Sequence, residues 1–424
     1  MISQETGKIF FSVKQMVAGA FVLALVFHFV FYFNSYGPAI PFLNGYIIYL
    51  IAYPSVLIMF FLYLTTYWRI NFKDKFSLHI YDGLVLWIII CIIRSLLIIR
   101  SPEELKAFLL DNYMALSAFP VLFVIAGINI KYFHRLNRIL FSYMLLVATI
   151  SIFFIDYFEL QLFLLMPVFY IILTIPLRSG AGKIFVLLIS VSIIWVSLTN
   201  RAGILRILIG YSIVTVYYLI LYLKVNKKLL VALIFLILLL PPVALYMGIK
   251  GESIFELIMG NSGNEYSQLD PTVDTRTFLY YEVFQDLKSN EAFLFGKGIN
   301  AGYYSASFVT YNRPIVEVGF LQIILKMGIV GFLLYVIVIL RALFRALKRS
   351  KSAFMKSLGL LLASYLLMLF VENVIAYNLL NILIWLVVGI CYSDEMLNQN
   401  DEEIKQLLKL PFARARKIFI SPSD

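Results

Sequence analysis

Apolar runs long enough to cross a membrane recur from one end of the chain to the other, separated by short polar punctuation and one long polar interval. A helix needs roughly 20 mainly apolar residues to cross a hydrocarbon core of about 30 Å. By that measure the pattern predicts twelve spans, at about 16–33, 45–66, 83–99, 108–128, 138–156, 160–177, 184–199, 203–223, 229–249, 315–340, 353–371 and 374–392. In lipid each segment must satisfy its own backbone polar groups, so these runs read as helices. The long interval, residues 250–314, falls between the ninth and tenth spans. It carries too many aromatic residues for disorder, and long ordered loops are usually functional. The expected fold class is an all-α polytopic membrane protein of about 12 transmembrane helices with one large, partly helical extracytoplasmic loop. Residues 1–393 are expected to form a single transmembrane domain that includes the loop, and 394–424 a cytoplasmic tail.

Composition supports this picture. Hydrophobic residues make up 62% of the chain and charged ones 14%, against roughly 25% charged in a soluble domain. Of the 35 lysines and arginines, 24 fall in segments on one side of the predicted topology. That bias places both termini in the cytoplasm and the 250–314 loop outside. The net charge of +11 then needs no nucleic-acid partner, because the inward-facing cations lie beside anionic lipid of the bilayer. Cys91 and Cys391 both fall in apolar runs, which suggests neither a disulfide framework nor a metal site. His28, His79 and His134 are not clustered, which excludes a histidine-based zinc site. The first apolar run lacks a small-residue cleavage site and reads as an uncleaved helix.

Charged residues inside spans are costly and are functional candidates by default. Arg94, Asp111, Arg201, Arg206, Glu317, Lys326 and Glu372 qualify. For Arg94, Asp111, Lys326 and Glu372, snorkelling to the interface is an equal alternative. Arg201 lies in the polar break Thr199-Asn200-Arg201-Ala202-Gly203 on the outer side, where a guanidinium fork suits a lipid-headgroup phosphate. Arg206 sits about 140° further round a helix and need not share that ligand.

Within the loop, apolar residues at 278, 279, 283, 284 and 287 follow Asp274 at helical spacing, with Asp274 as N-cap. Arg276 then falls in the first turn, where backbone amides and the helix dipole favour an anion. Pairing with Asp270 or Asp274 is the competing reading. Gly296-Lys297-Gly298 with Gly302 matches no nucleotide-binding pattern, and reads as a turn or as amides lining a pocket. Arg313-Pro314 leads into Glu317 at the start of the tenth span. A partly buried carboxylate there suits proton abstraction from a sugar hydroxyl. A salt bridge to Arg313 or Arg276 explains the same residue equally well.

These residues resemble a family, the O-antigen polymerases and ligases, which are membrane glycosyltransferases acting on sugars carried by undecaprenyl pyrophosphate. Twelve helices with a large outer loop after the ninth is that family's layout. Residues 199–203 look like its short arginine motif, and Thr275-Arg276-Thr277-Phe278-Leu279-Tyr280-Tyr281 followed by Leu294-Phe295-Gly296-Lys297-Gly298 looks like its loop signature. Family ligases show a histidine eleven residues before a Gly-x-x-Gly. Here Glu317 stands eleven residues before Gly328-Ile329-Val330-Gly331, and no histidine follows His134. That departure favours a polymerase.

The resemblance implies polymerisation of undecaprenyl-pyrophosphate-linked repeat units at the periplasmic face of a bacterial inner membrane, by an inverting reaction that needs no metal or other cofactor. It implies catalytic roles for Arg201 and Arg276 at the donor pyrophosphate and for Glu317 at the acceptor hydroxyl. Arg313, Arg206, Lys297, Tyr280, Tyr281 and Tyr311 are the substrate-binding candidates. The expected partners are the lipid-linked donor and acceptor glycans, the bilayer, and a chain-length-determining co-polymerase. A flippase for the same lipid-linked oligosaccharides is the alternative, although transporters more often show internal repeats and Gly- or Pro-broken helices.

Overall fold

The computed structural model describes residues 12–37, 45–65, 74–154, 157, 160, 167–196, 201–223, 277–305 and 310–408. In chain order the helices are α1 (Val13–Tyr36), α2 (Gly45–Thr65), α3 (Lys75–Ile98), α4 (Pro102–Leu109), α5 (Val124–Ile128), α6 (Ile130–Phe153), α7 (Val168–Ile172), α8 (Gly180–Val196) and α9 (Arg201–Leu223). There follow α10 (Thr277–Ser289), strands β1 (Tyr303–Ser305) and β2 (Thr310–Arg313), then α11 (Gly319–Arg349), α12 (Ala353–Val371), α13 (Leu379–Tyr392), α14 (Asp394–Asn398) and α15 (Asp401–Leu408). Among the described residues five helices are long and apolar enough to cross a bilayer, within α1, α2, α3, α11 and α12, and shorter apolar helices accompany them. The chain is a multi-pass membrane protein. The span expected at 229–249 and the loop up to residue 276 lie outside the described residues.

Four expected spans take a different form, among them 160–177, whose described part is the short helix α7 followed by a 3-10 turn, Ile175–Leu177, that contains Pro176. Residues 108–128 are not one α-helix: a tight 3-10 stretch, Ala115–Phe123, contains Pro120 and runs into α5. Proline lacks an amide donor and its ring clashes with the preceding turn, so a regular α-helix is disfavoured there. The last span begins at Leu379 rather than 374, because Asn378 caps it by accepting a hydrogen bond from the Asn381 amide. The tenth runs on to Arg349 and is broken at Gly328, whose φ of 70° and ψ of −176° no helix contains.

Helix α11 packs against α3, α12 and α13. Every residue of α13 is buried, as expected of a helix apolar on all sides. It approaches α5 closely through Gly127 and Gly389, where an added Cβ would collide with the carbonyl oxygens of Leu386 and Val124 respectively.

Cations gather at one end of the bundle. Asp74, the N-cap of α3, accepts from Arg345 at 2.7 Å and Arg341 at 3.1 Å, and buried Arg345 also reaches Asp394 at 2.9 Å. Burial opposes ionisation of Asp74, but hydrogen bonds from Ser77 and Arg345 outweigh it and hold the carboxyl down at about 2. Asp401 accepts from the amides of Ala353 and Phe354, both at 3.0 Å, and from the Ser352 hydroxyl, so the C-terminal segment caps α12.

Candidate functional site

The opposite end of the bundle holds the carboxylates Asp111, Glu317 and Glu372 and the described part of the loop. The segment entering α11 is fixed on several sides: Val316 N donates to Gln322 Oε1 at 2.7 Å, Asn373 Nδ2 to Val316 O at 2.8 Å, and Gly319 N to Glu372 O at 3.2 Å. These bonds hold Glu317 at the mouth of α11. Its side chain is 43% exposed, and Arg313 Nη2 lies 3.3 Å from Glu317 Oε1. Of the two readings the sequence offered for this carboxylate, pairing with Arg313 is visible directly.

Arg313 ends β2, which pairs antiparallel with β1 so that Tyr303 faces Arg313. Burial pushes the Tyr303 phenol up; the Arg313 guanidinium opposes that, while Glu282 and Glu317 add to it. The hairpin is tied to α10 through Ser305 Oγ, which donates to Glu282 Oε2 at 2.7 Å. Arg313 thus lies between a phenol and a carboxylate.

Arg206, in the first turns of α9, pairs with Glu372 at the end of α12, with Nη2 2.6 Å from Oε1. Glu372 also receives the Gly319 amide through its carbonyl, so Arg206 and Glu317 share one end of the bundle. Lys326 is buried and donates to the Tyr113 carbonyl, and its electrostatic neighbour is Asp111, whose carboxylate accepts from Tyr113 N at 2.6 Å. All four residues for which snorkelling was the alternative therefore have protein partners, since Arg94 donates to two loop carbonyls.

The remaining candidates are dispersed. Lys297 is engaged by other groups, donating to Asp286 Oδ2 at 2.7 Å and Gly302 O at 2.9 Å. The Tyr280 ring is buried against Phe320, with centroids 5.5 Å apart, whereas Tyr281 on the same helix is exposed. The side chains of Arg201, which opens α9, and of Tyr311 in β2 lie outside the described residues, as does Arg276 entirely.

Sequence reasoning did not find the architecture of the loop's end. Residues 293–299 insert into the break in α11: Lys297 N donates to Leu325 O at 2.8 Å and Gly298 N to Lys326 O at 3.1 Å, while Ile329 N donates to Phe293 O at 3.0 Å and Val330 N to Leu294 O at 3.3 Å. Gly296 (φ 69°), Gly298 (φ 103°) and Gly328 (φ 70°) make the crossing possible, because each adopts a conformation that side chains rarely allow. Trp87 Nε1 satisfies the Met327 carbonyl at 3.0 Å. Non-helical backbone at membrane depth is tolerated where protein satisfies it in this way. The only advance signal was the clustering of glycines in both segments.

Comparison with curated proteins and with solved structures found no match. A family model described as O-antigen ligase matches residues 184–336. That interval runs from Ile184 in α8 to Val336 in α11 and contains Arg201, Arg206, Arg276, Arg313 and Glu317, whereas Glu372 and the α3 residues lie outside it. Members of this family are enzymes of surface-polysaccharide assembly that act on lipid-linked glycans. The resemblance read from the sequence thus finds support over the matched interval: the chain is a multi-pass membrane protein that is similar, over residues 184–336, to the O-antigen ligase family.

Proposed function

We propose that the protein is a polymerase of lipid-linked oligosaccharide repeat units. It would transfer a growing glycan from undecaprenyl pyrophosphate to a hydroxyl of one acceptor unit at the periplasmic face of a bacterial inner membrane, with both termini in the cytoplasm. The observation that carries the reading is Glu317 at the mouth of α11, inside the matched interval, where family ligases are expected to carry histidine. A carboxylate close to water and within reach of a guanidinium can accept or orient a hydroxyl proton. Arg201 and Arg276 would neutralise the departing pyrophosphate, preorganised positive charge doing what a metal ion could otherwise do. Arg313 and the exposed Tyr281 would contact phosphate or stack on sugar rings, and attack at the anomeric carbon would invert its configuration. A co-polymerase that sets chain length would be the protein partner.

The broken helix α11 gives the transporter reading one specific point in its favour, since discontinuous helices line many transport sites. Here, however, residues 293–298 fill the break and satisfy its exposed backbone, which leaves those groups unavailable to a passing substrate. Incubating the purified full-length protein with purified lipid-linked repeat units, without added metal, tests the proposal. A ladder of glycans differing by one repeat is expected. Failure to extend the units, together with their translocation across vesicles, would establish the flippase; transfer only onto a lipid acceptor, without a ladder, would establish a ligase.

A further inference from the structure

Arg94 lies near the C-terminal end of α3, outside the matched interval, and both ends of its guanidinium fork are spent on loop backbone: Nη1 donates to Phe295 O at 2.7 Å and Nη2 to Gly296 O at 3.0 Å. Among the described residues it has no ion-pair partner. A charge on a membrane-spanning helix is costly to keep, and a planar fork matched to two successive carbonyls is a use that lysine cannot reproduce. The neighbouring Ser95 Oγ accepts the Ile299 amide at 2.6 Å, so α3 grips the insert on both sides of Lys297.

From this grip a continuous series of described contacts reaches Glu317. Lys297 Nζ bonds Asp286 on α10 and the Gly302 carbonyl. Gly302 precedes Tyr303 of β1, which pairs with Arg313 of β2, and Arg313 reaches Glu317. Burial anchors the insert at Ile299 but does little over the stretch 293–295, because Phe293, Leu294 and Phe295 are all exposed. Its position is set by polar bonds to its backbone, and the two from Arg94 are charge-assisted, the stronger kind.

We infer that Arg94 is a positioning residue for the reaction proposed above: by clamping Phe295 and Gly296 it fixes Lys297, the β1–β2 hairpin and therefore Arg313 against Glu317. The inference rests on the polymerase reading for what the site does, while the clamp itself can be tested without it.

The full-length protein in lipid nanodiscs, as wild type, Arg94→Gln and Arg94→Lys, would be followed by hydrogen exchange and by polymerisation of lipid-linked repeat units. In Arg94→Gln, exchange at 297–303 should rise about tenfold or more, with the buried helix α13 unchanged. Polymerisation should fall about tenfold or more through misplacement of the site. Arg94→Lys should restore part of both. Unchanged exchange at 297–303 in Arg94→Gln would overturn the clamp, and faster exchange with a wild-type polymerisation rate would overturn the positioning role. Should Arg94→Gln fail to fold, Ser95→Ala removes the acceptor of the Ile299 amide, along with a donation to the Cys91 carbonyl within α3, and should speed exchange at Ile299, with no change there counting against the clamp. If the wild-type protein makes no polymer, the polymerase reading fails alone and exchange still decides the clamp.

Discussion

Arg206 Nη2 lies 2.6 Å from Glu372 Oε1, joining the first turns of α9 to the end of α12 across 166 residues of sequence. The two side chains are only 11% and 17% exposed, so each is the other's main compensation for leaving water. Breaking a buried pair from one side costs about 3–5 kcal/mol, and this partly exposed one belongs at the lower end. Glu372→Ala should therefore lower the unfolding temperature in detergent markedly. The double variant Arg206→Ala/Glu372→Ala should lose clearly less than the sum of the single changes. Strict additivity would mean that the two residues stabilise the bundle separately.

The break in α11 makes a steeper prediction. A Cβ on Gly328 would strike the Leu294 carbonyl oxygen and come within 2.5 Å of Gly296 N, at a φ of 70°. Strain in that region costs about 1–3 kcal/mol before any clash is counted. Gly328→Ala should destabilise by about 3 kcal/mol or more and expel the insert, seen as fast hydrogen exchange at 293–299. At Gly331 the added carbon would meet Met327 Cβ, which moves only with its backbone, and Trp87 Nε1, which is held on the Met327 carbonyl, so Gly331→Ala should also destabilise, but by less because Gly331 lacks the left-handed φ of Gly328. Gly19 in α1 has nothing within 4 Å of an added Cβ, and Gly19→Ala should be neutral or stabilising by up to about 1 kcal/mol. Thermal unfolding of the three variants, ranked, checks the order.

These two relationships also mark what the sequence could reveal. The loop helix was readable because Leu279, Val283 and Leu287 recur at helical spacing, and all three are buried in α10. The Arg313–Glu317 pair was readable because four residues separate its members. The Arg206–Glu372 pair was not, since no local pattern links residues 166 apart. The insert was hidden for a different reason: it is held by backbone amides and carbonyls, which every residue possesses. Arg94 therefore looked like any charge within a span, and Gly328 like half of a short motif. Residues 108–128 were misjudged as one helix because their hydropathy outweighed the single proline that breaks the pattern.

At the other end of the bundle, Asp74 makes stability depend on acid. Its carboxyl is held at about 2, below the ordinary value of 3.8, so the folded state favours the ionised form. A depressed acid contributes stability that is fully present above its unfolded value and is lost as the pH falls toward its folded one. The window is thus roughly pH 4 down to 2, and the contribution is about 2 kcal/mol. Asp74→Asn should be less stable than wild type at neutral pH by at least that amount. The gap between the two proteins should close as the pH falls through the window, whatever other carboxylates do to both. A gap independent of pH would show that Arg345 and Arg341 do not depend on the charge of Asp74.

The sharpest division between structural and chemical roles falls at Glu317. Its pair with Arg313 is exposed enough for water and salt to screen, and exposed pairs contribute about 0–1 kcal/mol. The segment that carries it is held instead by Gln322, Asn373 and the Glu372 carbonyl, none of which needs the Glu317 side chain. Glu317→Gln keeps the shape and a hydrogen-bonding group, and should leave the unfolding temperature nearly unchanged. If Glu317 takes the acceptor's proton, the same variant should lose polymerisation by about 10²–10⁴-fold. Arg313→Ala should leave some activity, because Glu317 stays anchored by its backbone while losing the cation beside it. Initial rates of repeat-unit extension, measured on variants matched for thermal stability, check both. Full activity in Glu317→Gln would reduce the carboxylate to a partner of Arg313, and the search for the proton acceptor would move to Asp111 and Glu372 at the same end of the bundle.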